Sequence, residues 1–145
     1  MSQYFQIGDE ILWNPSSGVS RIFLRQVAVF EAELGLPSGI GPMEADECQI
    51  DPAVFGAFAD ALLAAHRRTH HAVLLALSEG FVITVLALAE RAGVRLCWVP
   101  PRSGPGGELR DVPVPAHPVA AGGTDAEWAD RLRRDVRALD RFMVR

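Results

Sequence analysis

The sequence predicts a mainly α-helical fold of the α+β class, a core of about four helices with a small N-terminal hairpin or minor sheet. Three observations carry that reading. Apolar residues recur at spacings of three and four through several long stretches, as in helices with one buried side. A short pair of strand-like segments flanks a glycine turn near the start. A chain of 145 residues that is 49% hydrophobic is long enough to close one core without metal or disulfide staples.

The first element reads as a hairpin. Tyr4-Phe5-Gln6-Ile7 and Glu10-Ile11-Leu12-Trp13 flank Gly8-Asp9, a glycine-first loop suited to a type II′ turn. Trp13 packs on the core, and Asn14-Pro15-Ser16-Ser17-Gly18 is a turn cluster. A helix follows over residues 19–34, with Val19, Ile22, Phe23, Val27, Phe30 and Leu34 on one stripe. Gly35 ends it and Pro37 confirms the stop. Residues 35–50 read as a long Gly/Pro loop ending in an acidic knot, and loops of that length are often functional.

Asp51-Pro52 opens the next helix, because aspartate accepts free backbone N–H groups and proline suits the first helical position. Phe55, Phe58, Leu62, Val73 and Leu77 fall on one face with Ala65 and Thr69 between them, so this helix is expected to run to Leu77. Ser78 would then cap a second helix over Phe81, Val82, Val85, Leu86 and Ala89, ending at Gly93. Residues 94–99 read as a strand between Gly93 and Pro100. In the Pro/Gly-rich stretch that follows, only residues 109–114 have strand character. Thr124 and Glu127 form a capping box, and Trp128, Leu132, Val136, Leu139 and Met143 make a narrow stripe on the last helix. The domain organisation is thus a helical core with its N-terminal hairpin over 1–99, a connection over 100–123 and a C-terminal amphipathic helix over 124–145.

Composition excludes several classes. The mean hydropathy of +0.14 is too high for a disordered chain. A net charge of −4 and a pI near 5.5 argue against a general nucleic-acid binder. All 14 basic residues are arginine, which reads as the codon bias of a high-GC bacterial genome. Residues 1–60 carry a net charge of −7 and residues 61–145 a net charge of +3, an asymmetry suited to docking between halves, between copies or with a partner. Cys48 and Cys97 have no metal or redox spacing, and the start lacks the pattern of a secretory signal, so a cytoplasmic setting is expected. Residues 72–89 approach the length of a membrane span. Glu79 at its middle, costing about 2.5–3.5 kcal/mol in a bilayer, favours a core helix and no membrane.

Candidate sites are few. Glu44, Asp46, Glu47 and Cys48 form the densest polar cluster, suited to a hard cation or an arginine-rich partner, although the EF-hand pattern is missing. His66 and His70 at i and i+4 supply half a metal site. Arg67 stands where the zinc-protease motif needs glutamate, and a third ligand would have to come from Glu44, Asp46 or Glu47. Cys48 near a helix start would be a nucleophile if His66 or His70 reached it. No P-loop, G-x-S-x-G or dinucleotide motif is present, and no cofactor is expected. The stripe of the last helix either folds back on its own core or packs on a second copy. Its arginines are interleaved with Asp130, Asp135 and Asp140, which would repel a nucleic-acid backbone.

Two stretches, DEILWNPSSGVSRIFLRQV and GLPSGIGPMEADECQID, resemble a family of short actinomycete proteins described only as a domain of unknown function. The resemblance covers about residues 1–95 and implies a bacterial cytoplasmic context, with no activity, substrate or catalytic residue. The expectation is a non-catalytic accessory protein that binds a protein partner or itself. Glu44, Asp46 and Glu47 on the loop, and Trp128, Leu132, Arg134 and Leu139 on the last helix, would be its contacts. The alternative is a small enzyme or small-molecule carrier with a pocket under residues 35–51, using His66, His70 or Cys48. A DNA-binding regulator is third.

Overall fold

The computed structural model describes residues 1–98 and 124–145. Its elements run β1 (Tyr4–Ile7), β2 (Glu10–Trp13), α1 (Ser17–Leu34), β3 (Ile40–Glu44), β4 (Glu47–Ile50), α2 (Pro52–Arg68), α3 (Ala72–Arg91) and α4 (Asp125–Asp140). Among the described residues this is an α+β fold with four helices beside a four-stranded sheet of order β2-β1-β4-β3. The expected N-terminal hairpin is present, and its loop turns at Gly8 with φ +57°.

The sheet is larger than the sequence suggests. Residues 40–50, read as loop, form a second antiparallel hairpin, and β4 joins β1 in parallel through the pairs Tyr4–Glu47, Phe5–Cys48 and Gln6–Gln49. The connecting turn places Ala45 and Asp46 at φ 49° and 66°, both left-handed, as a two-residue type I′ loop demands. Pro42 is tolerated because β3 lies at the sheet edge, where the missing N–H leaves no ladder bond unmade.

One face of the sheet is the floor of the core. Phe5, Cys48 and Ile50 are buried there. Phe5 stacks on Trp13 at 5.3 Å and meets Phe23 of α1 edge-on at 5.5 Å. The aromatic chain continues from Phe30 to Phe81 of α3, whose rings lie parallel at 4.5 Å. Each such pair adds about 0.5–1.5 kcal/mol beyond its buried area.

Asp51 caps α2 as expected, its Oδ1 accepting the N–H groups of Ala53 and Val54 at 3.0 and 3.1 Å. The helix does not run on to Leu77. It stops at Arg68, and α3 starts after His71, whose Nδ1 accepts the Leu74 N–H at 3.3 Å. Ser78, expected as the cap, lies inside α3 and donates its hydroxyl back to the Leu74 carbonyl at 2.7 Å. The earlier break rotates Val73 and Leu77 to the surface, where they are 60% and 73% exposed. Val19 and Ile22 of α1, placed on the buried stripe by spacing, also face outward, while Phe23, Val27 and Phe30 carry the contact. Helix α3 is long and apolar enough to cross a membrane by length and composition. Its second half, from Phe81 to Ala89, packs within the core.

Residues 94–98 pair with no strand among the described residues. They run along α2 instead, the Cys97 N–H donating to Asp60 Oδ1 at 2.8 Å. The strand candidate over 109–114 lies outside the described residues. Helix α4 begins at the predicted capping box and lays Leu132 and Val136 onto α3. Its end is held by Arg91, a buried side chain that donates to Asp140 Oδ1 and to the carbonyls of Asp140, Met143 and Leu12. The Asn14 N–H adds a bond to the Val144 carbonyl at 2.8 Å.

Candidate functional site

The acidic cluster stands on the β3–β4 hairpin. Side chains alternate along β4, so Cys48 and Ile50 point into the core while Glu47 and Gln49 point away from it. Glu44 and Glu47 are directly opposite each other in the antiparallel register, and both are exposed. Asp46 sits in the turn, where its Oδ1 accepts from Gln3 Nε2 at 3.2 Å and its carbonyl accepts the Tyr4 N–H at 2.8 Å. Gln6 Nε2 donates to Glu47 Oε2 at 3.2 Å, and Gln49 exchanges bonds with the backbone of Gly8. The outer sheet side therefore exposes Glu44, Glu47 and Gln49, with Gln6, itself buried, bracing Glu47 and Gln3 bracing Asp46. The glutamines escaped notice in the sequence. Their signal was the alternation Tyr4/Gln6 against Phe5, which points Gln6 to the same side as Glu47 once the strands are paired.

Cys48 is separated from the acids by that same alternation. Its thiol is fully buried and donates to the Gly41 carbonyl at 3.1 Å, and burial pushes its pKa up to about 11. A thiol in that setting stays protonated and is a poor nucleophile. His66 lies near the other end of α2, roughly 20 Å along the helix axis from the Asp51 cap at about 1.5 Å per residue. The condition for a Cys48 nucleophile, that His66 reach it, is therefore not met.

His66 and His70 do not share a helix face either, because α2 ends at Arg68 and His70 is exposed in the break that follows. Among the described residues no group of three histidine, cysteine or carboxylate side chains is placed to hold a metal ion. His66 is 3% exposed, and its Nδ1 has no hydrogen-bond partner among the described residues. Its ring lies 6.1 Å from the indole of Trp128. Burial first, and the Arg131 guanidinium second, push its pKa down to about 4, so it is neutral near pH 7.

Helix α4 divides its expected contacts. Leu132 is 2% exposed, and Trp128 and Leu139 pack partly against the core. Those three side chains serve the interior of this chain. Arg67 of α2 lies 5.3 Å from the Trp128 ring and forms an ion pair with Asp125. Arg134 is exposed on the opposite side with Arg131, Arg137 and Arg141, giving α4 an outward arginine row. Beside α2, a shallow groove is lined by Glu31, Pro37, Gly39, Ile40, Asp51 and Val54. Its carboxylates are already engaged, Glu31 by the N–H and hydroxyl of Ser38 and Asp51 by its own helix.

What these features define is an α+β domain with exposed acids on its β3–β4 hairpin and an arginine-faced C-terminal helix. The chain belongs to DUF6086, a family of unknown function, which matches residues 1–145. The family relationship therefore extends through the C-terminal helix, past the residue-95 limit of the sequence resemblance. No curated protein and no solved structure matches the chain.

Proposed function

We propose that the chain is a non-catalytic accessory protein that docks a protein partner. Glu44, Asp46 and Glu47 receive a basic segment, and the arginine row of α4, including Arg134, makes a second contact. The observation that carries this reading is the register of Glu44 against Glu47. Like charges directly opposite on one sheet face are destabilising, and a guanidinium or ammonium group laid between them removes that cost. The glutamine bracing holds Asp46 and Glu47 in place before any partner arrives, which lowers the ordering cost of binding. An arginine-only basic complement and a buried thiol suit the bacterial cytoplasm as the setting.

Calorimetric titration with an arginine-rich peptide tests the proposal. The wild-type chain should bind it with an affinity that falls as salt rises. Glu44→Lys/Glu47→Lys should abolish binding, while Asp9→Lys/Glu10→Lys at the other hairpin should leave it intact. No binding by the wild type, or equal loss in both variants, would overturn the site.

A further inference from the structure

We infer that the outer face of α1 pairs with a second copy of the chain, antiparallel, about a two-fold axis at Val29. The inner side of α1 is used by Phe23, Val27 and Phe30. The outer side holds Ile22, Arg25, Val29 and Ala32, all exposed and spaced by three and four, the seam spacing of two packed helices. Ile22 is 61% exposed and Val29 56%, with Val19 at 46% on the flank and Leu36 at 40% just past the helix end. Ala28 and Ala32 are small and exposed, so a second helix can approach closely.

Charge selects the occupant. The cations of this face, Arg21 and Arg25, lie in the first half of α1, and its outward carboxylate, Glu33, lies in the second. Neither Arg25 nor Glu33 has an ion pair among the described residues. Parallel pairing would set Arg25 against Arg25. An antiparallel two-fold at Val29 sets Arg25, four residues before the axis, against Glu33, four residues after it, and symmetry makes that contact twice. The same axis carries Ile22 toward Leu36 of the other copy. A helix face that complements itself under one rotation fits a second copy of this chain. The interface is separate from the acidic hairpin and from α4, so failure of either reading leaves the other standing.

Sedimentation equilibrium of the full chain tests it. Wild type should sediment at twice 15.7 kDa. Val29→Glu should give a monomer with an unchanged circular dichroism spectrum. Arg25→Glu alone and Glu33→Arg alone should each weaken self-association about tenfold or more. An equimolar mixture of those two single variants, and the double variant by itself, should restore the dimer. A wild-type monomer up to the solubility limit, or a dimer insensitive to Arg25→Glu, would overturn the inference.

Discussion

Arg91 and Asp140 form an ion pair of 2.6 Å that seats the end of α4 on the end of α3. The two partners are unequal, since the Arg91 side chain is 8% exposed and that of Asp140 45%. Arg91 also satisfies the carbonyls of Leu12 and Met143, so its loss leaves buried acceptors unpaired. Arg91→Ala should therefore cost about 3 kcal/mol in urea denaturation, and Asp140→Ala about 1 kcal/mol. Equal effects would show that the carbonyl contacts contribute nothing.

Stability should fall in mild acid through His66. The folded state holds this imidazole near pKa 4 by burial, against an ordinary value of 6.5. Between those values the unfolded chain takes up a proton that the folded chain refuses, so stability is full above pH 6.5 and declines as pH drops toward 4. The loss over that window is about 3 kcal/mol. His66→Leu should flatten the acid limb of the stability profile between pH 6.5 and 4, as measured by urea midpoints.

The two thiols should differ sharply in reactivity. Cys48 is buried, with its pKa raised to about 11, whereas Cys97 is exposed. A colorimetric disulfide reagent should titrate one thiol in the native protein and two after denaturation. Cys97→Ser should remove the native signal. Rapid native labelling of Cys48 would mean that the β1–β4 seam opens readily.

Two glycines should respond in opposite directions to alanine. Gly39 has φ +74°, and a Cβ there would sit 2.7 Å from Phe55 N and 2.9 Å from the Asp51 carbonyl oxygen. Gly39→Ala should destabilise by about 3 kcal/mol. Gly80 lies inside α3, and a Cβ added to it would meet nothing within 4 Å, so Gly80→Ala should stabilise by about 0.5–1 kcal/mol. Thermal unfolding of both variants checks the pair.

Local chemistry was legible wherever a single residue type has one strong use. Asp51-Pro52, Gly35, the Gly8 turn and the Thr124–Glu127 box all signalled their element ends, and each is found at the expected position. The β3–β4 hairpin was hidden because Ala45 and Asp46 take left-handed conformations that glycine or asparagine usually announces. The break at Thr69–His71 was hidden because both flanking helices are apolar, so their stripes merged into one apparent period. Val94, Leu96 and Trp98 have strand-like side chains, yet they pack beside α2, because tertiary contact outweighs β propensity. For the site, the acidic residues were legible as a cluster, but their mutual register was not. That Glu44 faces Glu47 depends on a turn type that no residue advertised.

The parallel joint between β1 and β4 also bears on the order in which the sheet closes. Each hairpin closes over a two-residue loop, a step of roughly 1–10 μs. Joining them brings Phe5 beside Cys48 only after the chain has crossed through α1 and returned, so that contact bears the largest loop-closure entropy in the sheet. The helical pair α2–α3 forms from neighbours in sequence and need not wait. Within the sheet, the β1–β4 joint is therefore the expected last closure, and substitutions at Phe5 or Cys48 should act on that step.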